Sequence, residues 1–179
     1  MKALKGLFLG KTWKGSLVRI LLILTLATVP FWYHYRTVWV DGISMEPTYD
    51  DGQWTLMQRS RSFGADWSPE RFDVIIVWSD ELKIQLCKRV IGLPGEKVKV
   101  VDGRIFVDGS EISDSFGKGN MVYRNFIDPN TDKSWFKEYE NIPVITIAPN
   151  TVWVIGDNRE DSLFGHFPIK DIRGKVVLY

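Results

Sequence analysis

The stretch IQLCKRVIGLPGEKVKVVDGRIFVDG at residues 84–109 decides the fold. IQLCKRVIG (84–92) is a strand-like run, interrupted only by Gln85 and the cation pair Lys88-Arg89, and it stops at Pro94-Gly95. EKVKVVDG (96–103) and RIFVDG (104–109) then alternate apolar with polar residues. They meet at Asp102-Gly103, a pair that tolerates positive φ, so the two segments form a hairpin. The same pattern recurs on both sides. TVWV (37–40), QWTLMQ (53–58), DVIIVW (73–78), VITIAP (144–149), TVWVIG (151–156) and GKVVLY (174–179) are short, β-branched or aromatic, and bounded by Gly, Pro or Asp. Helical periodicity is hard to find after residue 36. Residues 110–143 are polar, with Gly117, Gly119, Pro129 and Pro143, and read as an insertion projecting from the sheet. The expectation is a mainly β fold: an all-β domain of coiled antiparallel sheets over residues 37–179.

Residues 1–36 obey a different rule. ILLILTLATVPFWY, from Ile20 to Tyr33, carries no charge, and Leu17 and Val18 extend it across Arg19 to about the minimum bilayer span. Arg19 reaches the headgroups along its aliphatic stem. Trp32, Tyr33 and Tyr35 fall where an interfacial belt would lie. A buried core helix is a poor reading, because this segment has no polar face. A cleavable leader is also a poor one, because the run ends in Pro-Phe-Trp-Tyr-His-Tyr without a small-x-small site. The segment therefore predicts a single transmembrane helix behind a basic tail, and the positive-inside rule puts its N-terminus in the cytoplasm.

The net charge of +1 conceals this asymmetry. Six of the 23 basic residues (Lys2, Lys5, Lys11, Lys14, Arg19 and Arg36) precede residue 37, and all 22 acids follow it. An acidic body argues against nucleic acid as a partner, which needs a basic face on the folded domain. A cationic tail fits a membrane surface. The single cysteine, Cys87, permits no internal disulfide, and with His34 and His166 it leaves too few ligands for a structural zinc site. No metal or cofactor is expected, and no oligomer is implied.

Three segments carry candidate chemistry. In Gly42-Ile43-Ser44-Met45-Glu46-Pro47-Thr48, a serine in a turn most often bonds its own backbone. In Leu86-Cys87-Lys88-Arg89-Val90, alternation puts Lys88 on the face of Leu86 and Val90 and Arg89 on the other. A strand-edge lysine with its head in water is the commoner arrangement. A lysine desolvated by apolar neighbours instead has a lowered pKa. Moving it from about 10.4 to about 7 costs roughly 4–5 kcal/mol and yields a neutral amine able to activate a serine. Neither histidine lies in a catalytic-looking context. The third segment, Gly156-Asp157-Asn158-Arg159-Glu160-Asp161-Ser162, is by itself a polar turn after a strand.

Taken together and in this order, SMEPT (44–48), KRVIGLPGE (88–96) and GDNREDS (156–162) behind an apolar anchor resemble the bacterial type I signal peptidases, and the likeness runs on to IRGKV (172–176). The resemblance implies a membrane-bound Ser/Lys-dyad serine endopeptidase that removes signal peptides from exported proteins. Ser44 would attack the scissile carbonyl, and Lys88 would take its proton and return it to the leaving amine. The Ser44 N–H would face the oxyanion. Met45 would support the nucleophile, Arg89 would pair with Asp157, and Ser162 would orient the lysine. Val40 and Cys87 would wall pockets for small side chains, as in Ala-x-Ala. By the same resemblance the chain sits in the bacterial inner membrane with its catalytic domain outside, its partners being signal peptides and inner-membrane lipid.

Two features depart from the family pattern. The third box in many relatives continues as SxDSR, whereas here Ser162-Leu163 runs into Phe164-Gly165-His166-Phe167-Pro168, so the DSR element and its salt bridge are missing. Gly42 also offers no hydroxyl toward the oxyanion. A specialised member maturing pilin or conjugative-transfer proteins is therefore the second reading, and a non-catalytic membrane-tethered β-domain the third. A self-cleaving Ser/Lys repressor ranks last, because an anchor stands where its DNA-binding domain would be.

Overall fold

The computed structural model describes residues 13–119 and 142–178. It opens with α1 (Trp13–His34), which among the described residues is the one helix long and apolar enough to cross a membrane. Its two threonines satisfy themselves within the helix: the Thr25 and Thr28 hydroxyls donate to the carbonyls of Leu21 and Leu24, both at 2.8 Å. Polar groups in an apolar medium must be paired in this way. The helix passes directly into strand, at Tyr35, just ahead of the residue-36 boundary expected from the sequence.

The strands are β1 (Tyr35–Trp39), β2 (Trp54–Arg59), β3 (Val74–Ser79), β4 (Ile84–Gly92), β5 (Lys97–Val101), β6 (Arg104–Val107), β7 (Ser110–Glu111), β8 (Ile142–Thr146), β9 (Thr151–Ile155), β10 (Phe164–Pro168) and β11 (Ile172–Val176). Among the described residues they form two antiparallel sheets, ordered β1-β2-β11-β3-β4-β9-β10 and β7-β6-β5-β8. The β5–β6 hairpin turns at Asp102 (φ 49°) and Gly103 (φ 73°), the doubly positive geometry that an Asp-Gly pair favours.

DVIIVW does not alternate because β3 is covered on both faces. Val74 and Ile76 pack with Val40, Met45, Tyr49, Met57 and Val176, while Ile75 and Val77 pack with Val90, Val152, Val154 and Ile172. A third cluster, with Trp153 against Ile91, Val98 and Ile105, joins the two sheets. Burying each such side chain contributes roughly 1.5–3 kcal/mol.

Two strands were not expected. β10 contains Gly165 and Pro168, poor strand residues, but it lies at the sheet edge and pairs only with β9, where a missing N–H is tolerated. β7 is too short to leave a sequence signal. The expected insertion at 110–143 begins in β7 and ends in β8, and residues 120–141 of it lie outside the described residues.

β4 positions the site. It pairs with β3 from Ile84 to Arg89 but with β9 only from Arg89 onward. Among the described residues, one edge of Ile84–Lys88 is thus unpaired, as is the outer edge of β1.

Candidate active site

After β1, Gly42 (φ 89°) turns the chain into a short 3-10 turn, Ile43–Met45. Met45 is completely buried in the cluster with Val40 and Tyr49, so it pins the loop from below and leaves Ser44 partly exposed above. The third segment holds the same loop from the side. Asn158 donates its backbone N–H to the Ser44 carbonyl (3.1 Å) and its amide to the Ile43 carbonyl (3.3 Å). Gly156 lies so close that a Cβ there would fall 2.1 Å from the Ser44 carbonyl oxygen and 2.2 Å from Ser162 Oγ. No other residue fits that approach.

Lys88 projects from β4 and is buried, 2% exposed, with its Nζ 2.7 Å from Ser44 Oγ. Burial strips water from the ammonium and lowers its pKa from 10.5 to about 8, while the charges of Asp157 and Asp161 pull the other way. The neighbouring Cys87 thiol is pushed up to about 12, again chiefly by burial, so it remains neutral at physiological pH.

Arg89, on the opposite face, enters a buried ion pair. Its Nε and Nη2 donate to the two carboxylate oxygens of Asp157 at 2.7 and 2.6 Å, with both side chains fully buried. The guanidinium also donates to the Phe72 carbonyl (2.8 Å) and lies 3.8 Å from the centre of the Phe116 ring. Thr48, four residues after Ser44, donates its hydroxyl to Asp157 Oδ2. The pair therefore ties the Ser44 loop, β4 and the third segment together.

The structure brings Ser44 and Lys88 into hydrogen-bond contact, joins Arg89 to Asp157, and places Val40 and Cys87 on one cleft. Ser162 is close to the site but makes a different contact from the expected one. Its hydroxyl accepts from the Gly156 N–H (2.7 Å) and donates to the Leu163 carbonyl (3.0 Å), so it braces the loop rather than the lysine. Sequence reasoning missed Thr48, Gly156 and Asn158, although all three stand inside the quoted motifs. It also missed a clamp from the segment after β7. There Asp114 pairs with the buried Arg159, and Lys118 exchanges backbone hydrogen bonds with Asp157 and Arg159. Phe116 belongs to this clamp, and nothing local in its sequence announces it. Among the described residues, no three His, Cys, Asp or Glu side chains converge as a metal site requires.

Two clefts meet β4. One, of ≈350 Å³, runs between the unpaired edges of β1 and β4 and is lined by Val38, Val40, Ile76, Leu86 and Cys87. The other, of ≈380 Å³, lies between the β3–β4 turn and β10 and is lined by Trp78, Glu81, Leu86, Lys88, Phe164 and His166, among others.

The family model "Signal peptidase, peptidase S26" matches residues 13–179. Signal peptidase I V of Bacillus subtilis (strain 168) is 38% identical over 143 residues, covering 76% of this chain and 80% of the relative. Signal peptidase I P of Bacillus subtilis subsp. natto is 27% identical over 165 residues, covering 89% and 83%. A crystal structure of a signal peptidase I from Enterococcus faecalis V583 superposes with a TM-score of 0.45 at 23% identity, over 62% of this chain and 98% of that one. With a family model matched over nearly its whole length and a relative of that closeness, the chain belongs to the signal peptidase family, peptidase S26.

Proposed function

We propose that this peptidase works as a membrane-anchored serine endopeptidase that cuts N-terminal signal peptides, with Ser44 as nucleophile and Lys88 as general base. The observation that carries the reading is the 2.7 Å contact between Lys88 Nζ and Ser44 Oγ inside an apolar setting. A lysine base works only when neutral. Its depressed pKa of about 8 leaves a substantial fraction as free amine near neutrality, whereas an ordinary lysine at 10.5 would leave almost none. Holding the charged form in this setting costs roughly 3 kcal/mol, present below about pH 8 and gone above about 10.5.

In the acylation step the Lys88 amine takes the Ser44 proton as Oγ adds to the scissile carbonyl. The Ser44 N–H faces the oxygen that becomes negative. Lys88 then delivers the proton to the departing amine, and the same base activates water to release the acyl group. The leader lies extended between the unpaired edges of β1 and β4, adding a strand. Val40 and Cys87 limit its side chains to small ones. Arg89 and Asp157 keep the loop and β4 in register, and Ser162 and Met45 fix the loop's height.

α1 anchors the enzyme across the inner membrane. The basic residues before it place the N-terminus in the cytoplasm and residues 37–179 on the outer side, facing exported chains. Purified full-length chain in detergent is expected to cleave a peptide with an Ala-x-Ala leader end, and Ser44→Ala to abolish this. Cleavage that persists in Ser44→Ala contradicts the assignment, and a wild type that binds the peptide without cutting it points to the binding-domain reading.

A further inference from the structure

Lys88 lines only one of the two clefts. The leader cleft between β1 and β4 carries Val40 and Cys87, while the cleft on the far side, between the β3–β4 turn and β10, carries Lys88 itself. Leu86 borders both, so the two clefts adjoin at β4, and Lys88, which lines the second, contacts Ser44 at 2.7 Å. If Lys88 protonates the departing amine, as proposed above, that nitrogen must lie on the Lys88 side. The amine belongs to the first residue of the mature protein. The second cleft is therefore where the mature chain leaves the site.

The walls of this cleft are charged. Asp80, Glu81 and Asp171 lie along it, and Lys88, at the catalytic end, is the only Lys or Arg among its lining residues. Lys83 stands on the adjoining turn, 3.9 Å from Asp80, but both of these side chains are largely in water, where such a pair is weak. Burial also lowers the pKa of His166, which keeps it uncharged at neutral pH. Trp78, Phe164 and Phe167 supply apolar surface beneath the carboxylates.

We infer that the cleft bounded by Asp80, Glu81, Asp171, Phe164 and Phe167 receives the first residues of the mature chain, and that its carboxylates favour basic over acidic side chains there. This rests on the dyad reading and adds a specificity determinant on the side of the scissile bond opposite the leader pockets. Partly solvated charges several ångströms apart change a rate by about three- to tenfold.

The test uses the full-length chain in detergent and three peptides identical through the leader. They differ only in the second residue after the cut, which is Lys, Gln or Glu. The expected order of kcat/KM is Lys, then Gln, then Glu, with a Lys/Glu ratio of about three to ten at low salt that shrinks as salt screens it. In the Asp80→Asn/Glu81→Gln/Asp171→Asn chain the ratio falls toward one. Glu81→Gln alone, on an exposed turn, lowers it part of the way. Equal cleavage of the three peptides by wild type, or an unchanged ratio in both variants, overturns the cleft's role while leaving the peptidase reading intact. Cleavage of none of them overturns both.

Discussion

Replacing Asp157 with asparagine removes one negative charge from a place where both partners are fully buried, and the consequence can be worked from the contacts. The carboxylate accepts from Nε and Nη2 of Arg89 and from the Thr48 hydroxyl. Asparagine keeps one acceptor oxygen, but each carboxylate oxygen takes a guanidinium N–H, so whichever way the amide turns its NH₂ faces one of them and a donor is left opposite a donor. The Arg89 charge then loses its anionic partner and keeps neutral support that includes the asparagine oxygen, the Phe72 carbonyl at 2.8 Å, the Thr48 hydroxyl at 3.3 Å and the Phe116 ring at 3.8 Å. Removing one partner of a buried pair costs about 3–5 kcal/mol, and the remaining contacts put this case near the lower end, about 3 kcal/mol. Urea unfolding of the full chain in detergent micelles, followed by tryptophan fluorescence, measures the loss. Trp153 is a buried reporter for it. The denaturation slope should stay constant while the midpoint falls. The double replacement Arg89→Met/Asp157→Leu leaves no stranded charge, so it should lose less than Asp157→Asn alone. A loss below about 1 kcal/mol in Asp157→Asn, or a double variant worse than the single, would refute the view that this pair holds the site together by mutual neutralisation.

Two other perturbations act on the proposed dyad. Gly156→Ala puts a Cβ 2.1 Å from the Ser44 carbonyl oxygen, so the Ser44 loop must move. kcat is expected to fall by about 100-fold or more, and the purified variant, if its kcat stayed within threefold of wild type, would show that the approach does not set Ser44. Cys87→Asp exchanges a neutral thiol for a carboxylate beside Lys88, which favours the ammonium. The acidic limb of the pH–rate profile should therefore move upward from about 8, and an unmoved limb would dissociate it from Lys88.

The β-rich architecture was legible because its strands carry local signals. Asp102-Gly103 marks its own turn, and the uninterrupted apolar run of DVIIVW announces a strand covered on both faces. β10 was not legible, since Gly165 and Pro168 are poor strand formers and the element exists only because β9 offers an edge. Lys88 was visible as a cation breaking an apolar strand, but its burial was not, because a lysine with its head in water was the commoner arrangement and β4 is covered on both faces at residues 88–90. Ser162 shows the limit of carrying a role over from a motif. The residue stands where expected, yet its hydroxyl is taken by Gly156 and Leu163. Thr48 and Asp114 act through partners far away in sequence, Asp157 and Arg159, and such long-range contacts have no local pattern.

The pH dependence of kcat/KM for the wild-type chain on a leader peptide tests the central claim most directly. In the proposed mechanism the free amine of Lys88 is the active form, so the rate must rise with pH as that group loses its proton. Burial sets the midpoint of the rise at about 8. A limb lying near the ordinary lysine value of about 10.4, or a rate independent of pH from 6 to 10, would contradict the account.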